Sequence, residues 1–238
     1  MTDARVVWAI DVTTSVISLA RIEETDAPSV PKIGLVTPVS AATHSPYSTW
    51  HHARAAATQV LEKVTAAGTP TLVMLAKNMW GAMEKDSSAE RRFRLYNAIE
   101  DELFAAQIPV TEFPYATAAK WLMGHTPRGK SPQIMKRLED EADTLWGIKP
   151  PTTTTTGGVR RIPFRVPVTS LAAIGGVAVG ISVADVEVTE ARLTIMSGRE
   201  TEYLRANAAI QWAKNRTPPR SVEQWEKLHR NPSKLKAA

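Results

Sequence analysis

A carboxylate stands at the end of an apolar segment near the N-terminus. Val6 to Ile10 is an unbroken run of strand-forming residues, which is typical of a strand covered on both faces. Asp11 follows it directly, and after a Thr-Thr-Ser turn a second apolar run, Val16 to Ile22, predicts the returning strand of a hairpin. A carboxylate beside a buried strand is costly unless it meets a metal ion, a cation or hydrogen-bond donors. Asp11 is therefore the first candidate functional residue.

The composition is that of an ordinary globular protein and excludes several classes of chemistry. Of the 238 residues, 43% are hydrophobic and 22% are charged, which is far from the composition of a disordered chain. The absence of cysteine excludes disulfides, thiolate metal sites and cysteine nucleophiles, and it fits a cytoplasmic protein. The sequence predicts no membrane span, because no apolar window is long enough, and no signal peptide.

The positive charge is concentrated towards the C-terminus. The segment from Ser197 onward holds nine Lys and Arg residues against four Glu residues, so it accounts for the whole net charge of +5. A basic tail suits a nucleic acid or an acidic protein surface. We therefore divide the chain into a body, residues 1–196, and a basic helical tail, residues 197–238. Two helices are predicted in the tail, Glu200–Lys214 and Ser221–Leu228. The two tryptophans indicate that the tail docks either on its own body or on a neighbour, and four residues are predicted to bind a partner: Trp212, Arg216, Arg220 and Trp225.

The order of the predicted elements indicates a mixed sheet. After the first hairpin come a third strand and then alternating helices and strands: Lys32–Val39, Trp50–Ala67, Thr71–Ala76, Ser88–Gln107 and Ile108–Phe113. Three more helices are predicted at 116–123, 133–146 and 168–181. A flexible threonine-rich loop is predicted at 150–158, and one more strand at 187–196. Antiparallel strands that lead into parallel β–α units give a mixed α/β sheet with helices on its faces.

Five short motifs also occur in a fixed order along residues 5–182. They are Ala9-Ile10-Asp11, Thr71 to Asn78, Ile108-Pro109-Val110-Thr111-Glu112-Phe113-Pro114, Gly124 with Lys130 and Gln133-Ile134, and Leu171-Ala172-Ala173-Ile174. In this order and spacing they resemble the RuvC-type Holliday junction resolvases and their phage relatives, within the RNase H-like superfamily. The resemblance implies a RuvC-type mixed sheet of five strands with helices on both faces, followed here by the C-terminal helical extension.

The resemblance further implies two-metal nuclease chemistry. In such enzymes several carboxylates hold two Mg²⁺ ions, of which one activates the attacking water and the other stabilises the leaving 3′ oxygen. Asp11 matches the first family carboxylate. The other family positions are occupied by residues that are not acids: Ala76, Asn78, Val166 and Thr169.

These replacements predict a degenerate catalytic centre. Lys77 follows the second catalytic strand, and its positive charge would oppose metal binding or pair with Asp11. We therefore interpret Asp11 as vestigial and predict no metal and no cofactor. Mg²⁺ is expected only if another carboxylate, Asp86 or Asp185, completes a relocated site.

Three functions follow, and the sequence leaves them open. The main interpretation is a non-catalytic RuvC-like scaffold that acts through protein contacts, such as a minor phage protein of the capsid or virion, which would place the protein in the cytoplasm or the virion. The alternatives are a Mg²⁺-dependent junction resolvase that works as a homodimer on branched DNA, and a DNA-binding protein that has lost cleavage. The DNA-binding residues are predicted to be basic: Lys77, Arg128, Lys130, Arg160 and Arg161.

Overall fold

The computed structural model describes residues 4–38, 45–77, 88–125, 127–155, 158–198 and 210–231. At its centre is a five-stranded sheet with the order β3-β2-β1-β4-β5. The strands are β1 (Val6–Val12), β2 (Ile17–Glu23), β3 (Lys32–Val36), β4 (Leu72–Ala76) and β5 (Val110–Phe113). β1 is antiparallel to β2 and parallel to β4, β2 is antiparallel to β3, and β4 is parallel to β5. The predicted mixed sheet is confirmed.

Helices cover both faces of this sheet, and two apolar cores result. One face carries α1 (Pro46–Thr65) and α2 (Ala89–Ala105), and the other carries α3 (Tyr115–Met123), α4 (Ser131–Trp146) and α5 (Val168–Ala178). Successive strand side chains point to opposite faces, so Ala9 lies in the α3–α5 core and Ile10 lies in the α1–α2 core. The α/β architecture that the motifs imply, a mixed sheet of five strands with helices on both faces, is confirmed.

Local sequence explains where the first helices begin and end. The Ser45 hydroxyl accepts a hydrogen bond from the Ser48 N–H at 3.1 Å, and Pro46 occupies the first turn of α1, where no N–H is required. Gly124 ends α3 at a φ of 73°, which is the left-handed region that favours glycine. Among the described residues, no helix combines the length and the apolar composition that a membrane crossing requires.

Helix α5 packs directly on the sheet because it contains small residues. A Cβ atom at Gly175 would lie 2.6 Å from Met74 Cγ on β4 and 2.7 Å from Val7 Cγ1 on β1. Contacts that short do not occur between real carbon atoms, so only glycine allows this spacing. The distance between the C-terminal half of α5 and the sheet is fixed as a consequence.

Two predictions made for the segment between α4 and the tail are wrong. The threonine-rich loop predicted at 150–158 is a hairpin of β6 (Thr152–Thr155) and β7 (Gly158–Arg161), since β-branched threonines favour extended backbone. The strand predicted at 187–196 is a short helix, α6 (Glu190–Met196). There the Thr189 hydroxyl caps the helix by accepting from the Arg192 N–H at 3.3 Å, and this cap outweighs the strand-like composition.

The described part of the tail packs on the body of the chain. Residues 200–209 of the predicted helix Glu200–Lys214 lie outside the described residues, and the helix is wrong over 210–214, where Gln211 forms an isolated β-bridge and a turn begins at Lys214. Gln211 and Glu112 exchange two backbone hydrogen bonds of 3.0 and 3.1 Å, so this segment covers the edge strand β5. The second predicted helix is confirmed as α7 (Val222–Arg230).

Candidate functional site

The carboxyl ends of three parallel strands meet at one edge of the sheet. Asp11 is the next-to-last residue of β1, Lys77 follows the last residue of β4, and Glu112 is the next-to-last residue of β5. We call this the carboxyl edge and define it by these three residues. Ligands of open α/β sheets bind outside the carboxyl ends of the strands, so this edge is the candidate site.

A tyrosine and an arginine surround the Asp11 carboxylate. The Tyr115 hydroxyl, in the first turn of α3, donates a hydrogen bond of 2.7 Å to Asp11 Oδ2. Ser18 lies opposite Asp11 in the β1–β2 register, and its hydroxyl accepts a hydrogen bond of 2.8 Å from the Arg165 N–H. This contact holds Arg165, whose side chain is exposed, next to the carboxylate. Asp11 therefore has one hydrogen-bond donor, Tyr115, and the positive charge of Arg165 acts on it.

Burial dominates the protonation behaviour of this pair. Burial raises the pKa of Asp11 above its usual value, although the Tyr115 hydrogen bond and the charges of Arg165 and Arg92 act in the opposite direction. The pKa of Tyr115 is raised well above 10.0, by burial and by the Asp11 charge. Tyr115 thus keeps its proton at neutral pH and acts as a donor.

Asp11→Asn is expected to raise the free energy of unfolding at neutral pH by on the order of 1 kcal/mol. Because its pKa is raised, folded Asp11 holds a proton more tightly than the unfolded chain does, so its contribution to stability falls as the pH rises above 3.8. The gain from Asp11→Asn should therefore shrink as the pH is lowered towards that value. Urea unfolding of both proteins across this range measures the difference.

Asp143→Asn is a matched control, because Asp143 is an exposed carboxylate 3.6 Å from Lys149 Nζ. We expect this control to change stability by less than about 0.5 kcal/mol at any pH in the range. A loss of stability in Asp11→Asn at neutral pH would contradict the prediction, since it would mean that the surrounding cations outweigh the burial cost.

Glu112 is engaged by a second tyrosine and by Lys77. The Tyr96 hydroxyl on α2 donates a short hydrogen bond to Glu112 Oε1, and Lys77 Nζ lies 3.9 Å from Glu112 Oε2. The Lys77 side chain is only 4% exposed, so its charge is held against this carboxylate. Burial and the Glu112 charge raise the pKa of Tyr96 above its usual value, and they also raise that of Glu100 nearby.

The two carboxylates of the carboxyl edge lie on opposite faces of the sheet. Asp11 follows Ile10 of the α1–α2 core, so the alternation of a strand directs it to the other face, towards Tyr115. Glu112 precedes Phe113 of the α3–α5 core, and its side chain is directed towards Tyr96 in the α1–α2 core. Two-metal sites hold their ions only ~3.5–4 Å apart and need carboxylates that converge. This pair does not converge.

The residues at the family's metal-binding positions do not fit Mg²⁺. Val166 and Thr169 at the start of α5 are 0% exposed, and the Thr169 hydroxyl donates to the Val166 carbonyl at 2.8 Å. Ala76 has no oxygen in its side chain, and Lys77 brings a positive charge where a ligand is required. Among the described residues, no three or more His, Cys, Asp or Glu side chains lie together in a way that could hold a metal ion.

A relocated metal site finds no support from Asp185. The backbone of Ala184 donates a hydrogen bond of 2.9 Å to the Ser29 carbonyl, and Ser29 follows the end of β2. Because β2 is antiparallel to β1, that end lies beside the start of β1, at the edge opposite Asp11. The other candidates, Asn78 and Asp86, lie outside the described residues.

The predicted DNA-binding residues lie on three different elements. Lys77 is at the carboxyl edge, and Arg128 and Lys130 are exposed in the loop before α4. Arg160 and Arg161 are exposed on β7, and Arg161 Nη2 forms an ion pair of 2.5 Å with Glu139 on α4. The structure thus distributes these charges over the surface and leaves four of the five exposed.

The predicted partner-binding tryptophans contact the chain's own body. The Trp212 ring packs edge-on against Phe113, with 6.2 Å between ring centroids, and its Nε1–H donates to the Met196 carbonyl at 3.0 Å. Trp225 stacks on His229 and packs against the α3–α5 core. The tail therefore docks on its own body through these two rings, which is one of the two alternatives that the sequence left open.

The two arginines predicted beside them differ in their surroundings. Arg216 Nε donates a hydrogen bond of 3.1 Å to the Thr71 carbonyl, just before β4, and the Arg216 side chain is partly buried. Arg220 is exposed at the start of the α7 segment. Arg216 therefore helps to attach the tail to the body, and Arg220 faces solvent.

Sequence reasoning did not predict that four side chains would lie near the carboxylates of this edge: Arg92, Tyr96, Tyr115 and Arg165. One signal could have found Tyr115, because it comes directly after Pro114 at the carboxyl end of a strand parallel to β1. Arg92 and Arg165 carry no such local signal. Their proximity to Asp11 depends on contacts between distant parts of the chain.

No protein-family model matches the chain, and no curated protein matches it in sequence. Several solved structures resemble it. The structure of Thermus thermophilus RuvC has 14% identity and a TM-score of 0.49, and the match covers 75% of this chain and 99% of that chain. T. thermophilus RuvC in complex with a Holliday junction substrate has 14% identity and a TM-score of 0.45, and the match covers 71% of this chain and 90% of that chain. The yeast mitochondrial Holliday junction resolvase Ydc2 has 12% identity and a TM-score of 0.43, and the match covers 70% of this chain and 74% of that chain.

The chain has the five-stranded mixed sheet, with helices on both faces, that the RuvC resemblance implied. The resemblance that the sequence motifs indicated is confirmed at this level. With identities of 12–14%, the likeness concerns the fold alone and carries no information about cleavage.

Proposed function

We propose that this protein binds DNA through the carboxyl edge of its RuvC-like sheet and does not cleave it by two-metal chemistry. One observation carries the proposal: cations stand at this edge where that chemistry requires carboxylates. Lys77 follows β4 and pairs with Glu112, and Arg165 is anchored beside Asp11 by the Ser18 hydroxyl.

The chemistry of these cations suits a phosphate rather than a metal ion. A two-metal nuclease brings positive charge to the phosphate as Mg²⁺, held by acids. Here the protein supplies the positive charge itself, through Arg165, which is exposed, and through Arg92, which is half-buried near Asp11. A guanidinium offers a planar fork of donors that matches two phosphate oxygens, and it needs no metal.

The overall charge and the choice of probe follow from the sequence. The net charge of +5, which lies in the tail, favours a polyanion as the partner of the whole chain but does not locate the binding site. A four-way junction is the first probe, because the sequence motifs resemble those of junction resolvases. The scaffold role in a virion receives less support, since Trp212 and Trp225, which suggested a protein partner, pack on the chain's own core.

A binding and cleavage experiment on one labelled four-way junction tests the proposal. We expect salt-dependent binding without Mg²⁺, no strand cleavage when Mg²⁺ is added, and equal or tighter binding by Asp11→Asn, because that change removes a negative charge near the phosphates. An isosteric amide leaves the Tyr115 donor with an acceptor, so the variant is expected to fold.

Two outcomes would reject the proposal in different ways. Mg²⁺-dependent cleavage that disappears in Asp11→Asn would establish the resolvase alternative. Failure to bind any DNA at low salt would remove both the binding protein and the resolvase, and it would leave the scaffold.

A further inference from the structure

The β6–β7 hairpin is separate from the main sheet and exposed. Its strands pair only with each other among the described residues, in the register Thr152↔Arg161 to Thr155↔Gly158. Every hairpin residue whose side chain the structure describes is exposed, including Val159, which is 71% exposed. An isolated two-stranded hairpin buries too little surface to be stable for its own sake. The presence of this exposed hairpin therefore suggests a binding role, and its residue types indicate for which ligand.

The charge of this segment has one sign. Residues 147–165 contain no Asp or Glu, but they contain four basic residues: Lys149, Arg160, Arg161 and Arg165. The β6 strand opposite the arginines consists of threonines, whose hydroxyl groups both donate and accept hydrogen bonds. Arginine, threonine and an exposed aliphatic side chain are the groups that contact phosphates, base edges and thymine methyl groups.

The two arginines of β7 lie on opposite faces of the hairpin. Arg161 pairs with Thr152, and its side chain is bound to Glu139 of α4 at 2.5 Å, so it attaches the hairpin to the body. Arg160 pairs with Thr153 on the other face, and it has no ion-pair partner among the described residues. Arg160 is therefore the side chain that is available to a ligand.

The base of the hairpin is fixed close to the carboxyl edge. The Ile162 N–H donates to the Pro151 carbonyl at 2.9 Å and closes the base, and Phe164 is 5% exposed in the α3–α5 core. The next residue is Arg165, which is anchored beside Asp11. A DNA backbone at the carboxyl edge would thus run past the hairpin.

We propose that the β6–β7 hairpin enters the major groove of a duplex arm whose backbone lies at the carboxyl edge, with Arg160 contacting base edges. This inference rests on the proposed function. Four residues of strand span about 13 Å. The major groove is about 12 Å wide and 8.5 Å deep and admits a two-stranded ribbon. An arginine there binds the O6 and N7 acceptors of guanine with two hydrogen bonds.

The test compares Arg160→Ala with Arg230→Ala on two versions of one four-way junction. Arg230 is an exposed arginine of α7, 3.1 Å from Glu226, on the side of the body where Arg5 at the start of β1 holds the helix end. The second junction carries 7-deazaguanine throughout, so it lacks the N7 acceptor but keeps the phosphates. We expect Arg160→Ala to weaken binding of the ordinary junction about tenfold. Arg230→Ala should weaken it less than about twofold.

The modified junction separates groove contacts from phosphate contacts. The natural protein should lose affinity for the 7-deazaguanine junction, and Arg160→Ala should bind both junctions equally. Equal affinity of Arg160→Ala and Arg230→Ala for the ordinary junction would overturn the hairpin proposal while DNA binding stands. A loss in Arg160→Ala with no sensitivity to 7-deazaguanine would reduce Arg160 to a phosphate contact and overturn the groove assignment. No binding by the natural protein would reject the proposed function itself.

A further experiment distinguishes DNA from a second copy of this chain as the partner of the hairpin. Strand addition by a second copy would give a dimer that persists without DNA and is insensitive to Arg160→Ala, because it uses backbone groups. Sedimentation of the protein alone measures this, and such a dimer would overturn the proposal.

Discussion

Arg165→Glu is expected to weaken binding of a four-way junction by about a hundredfold at low salt, the largest loss of affinity that we predict. The guanidinium stands beside Asp11, where the Ser18 hydroxyl holds its backbone. The substitution removes an attraction and places a second carboxylate next to an existing one, so a phosphate at this edge would meet two negative charges. Arg165 is exposed, so its side chain contributes little to the core.

Fluorescence anisotropy across a range of salt concentrations measures this effect, with Arg230→Glu as the control for net charge. Both variants change the net charge equally, so an electrostatic effect of the whole protein would reduce their affinities equally. Arg165→Gln should fall between the natural protein and Arg165→Glu, and it should lower the slope of affinity against salt. Equal losses in Arg165→Glu and Arg230→Glu would place the DNA elsewhere on the surface.

Arg5→Leu is expected to lower the free energy of unfolding by about 3–5 kcal/mol, the largest loss of stability that we predict. Arg5 is 3% exposed, and its guanidinium donates to Glu24 Oε2 at 2.9 Å and to the carbonyls of Val179 at 2.7 Å and Leu228 at 3.2 Å. A further bond of 3.4 Å reaches the His229 carbonyl. Leucine would leave all these acceptors without the donor that joins β1, α5 and α7.

Urea unfolding measures this loss, and limited proteolysis shows whether α7 is released first. Arg21→Leu is the matched control, because Arg21 pairs with Glu23 at 2.6 Å on a more exposed part of the neighbouring strand. We expect the control to cost less than about 1 kcal/mol. Similar losses in both variants, or resistance of the tail to protease in Arg5→Leu, would contradict the role of Arg5 in attaching α7.

The sequence was sufficient to predict the sheet because each of its inner strands carries its own signal. Val6 to Ile10 and Thr71 to Ala76 are apolar runs of β-forming residues, and such runs identify buried parallel strands without knowledge of their neighbours. Asp11 could be selected for the same reason, since a charged residue at the end of such a run is a local anomaly.

The partners of Asp11 could not be predicted, because they come from distant parts of the chain. Tyr115 is 104 positions away, and the Arg165–Ser18 contact joins residues 147 positions apart. No local sequence pattern predicts which residue of α3 contacts β1. The same limit explains Gln211, which pairs with the edge of β5 and so avoids the helix that its neighbours favour.

Short segments were mispredicted where two local preferences compete. Residues 187–196 contain β-branched side chains, but a single cap at Thr189 decides for a helix. At 150–158 the glycine and proline content suggests a loop, while the threonines pair as a hairpin. The two alternative conformations of such a segment differ in free energy by about 1 kcal/mol, and amino-acid composition alone does not predict a difference that small.

The packing of Val166 and Thr169 bears on whether these two positions could carry carboxylates for a metal site. Both side chains are fully enclosed at the start of α5, and the glycine contact with Met74 fixes how closely that helix approaches the sheet. An aspartate introduced at either position would be an unpaired charge inside the core. Without a bound metal ion it would lower the free energy of unfolding by several kcal/mol. A single substitution to aspartate at either position would therefore endanger folding. The close packing of α5 on the sheet thus opposes the acquisition of a metal-binding carboxylate there.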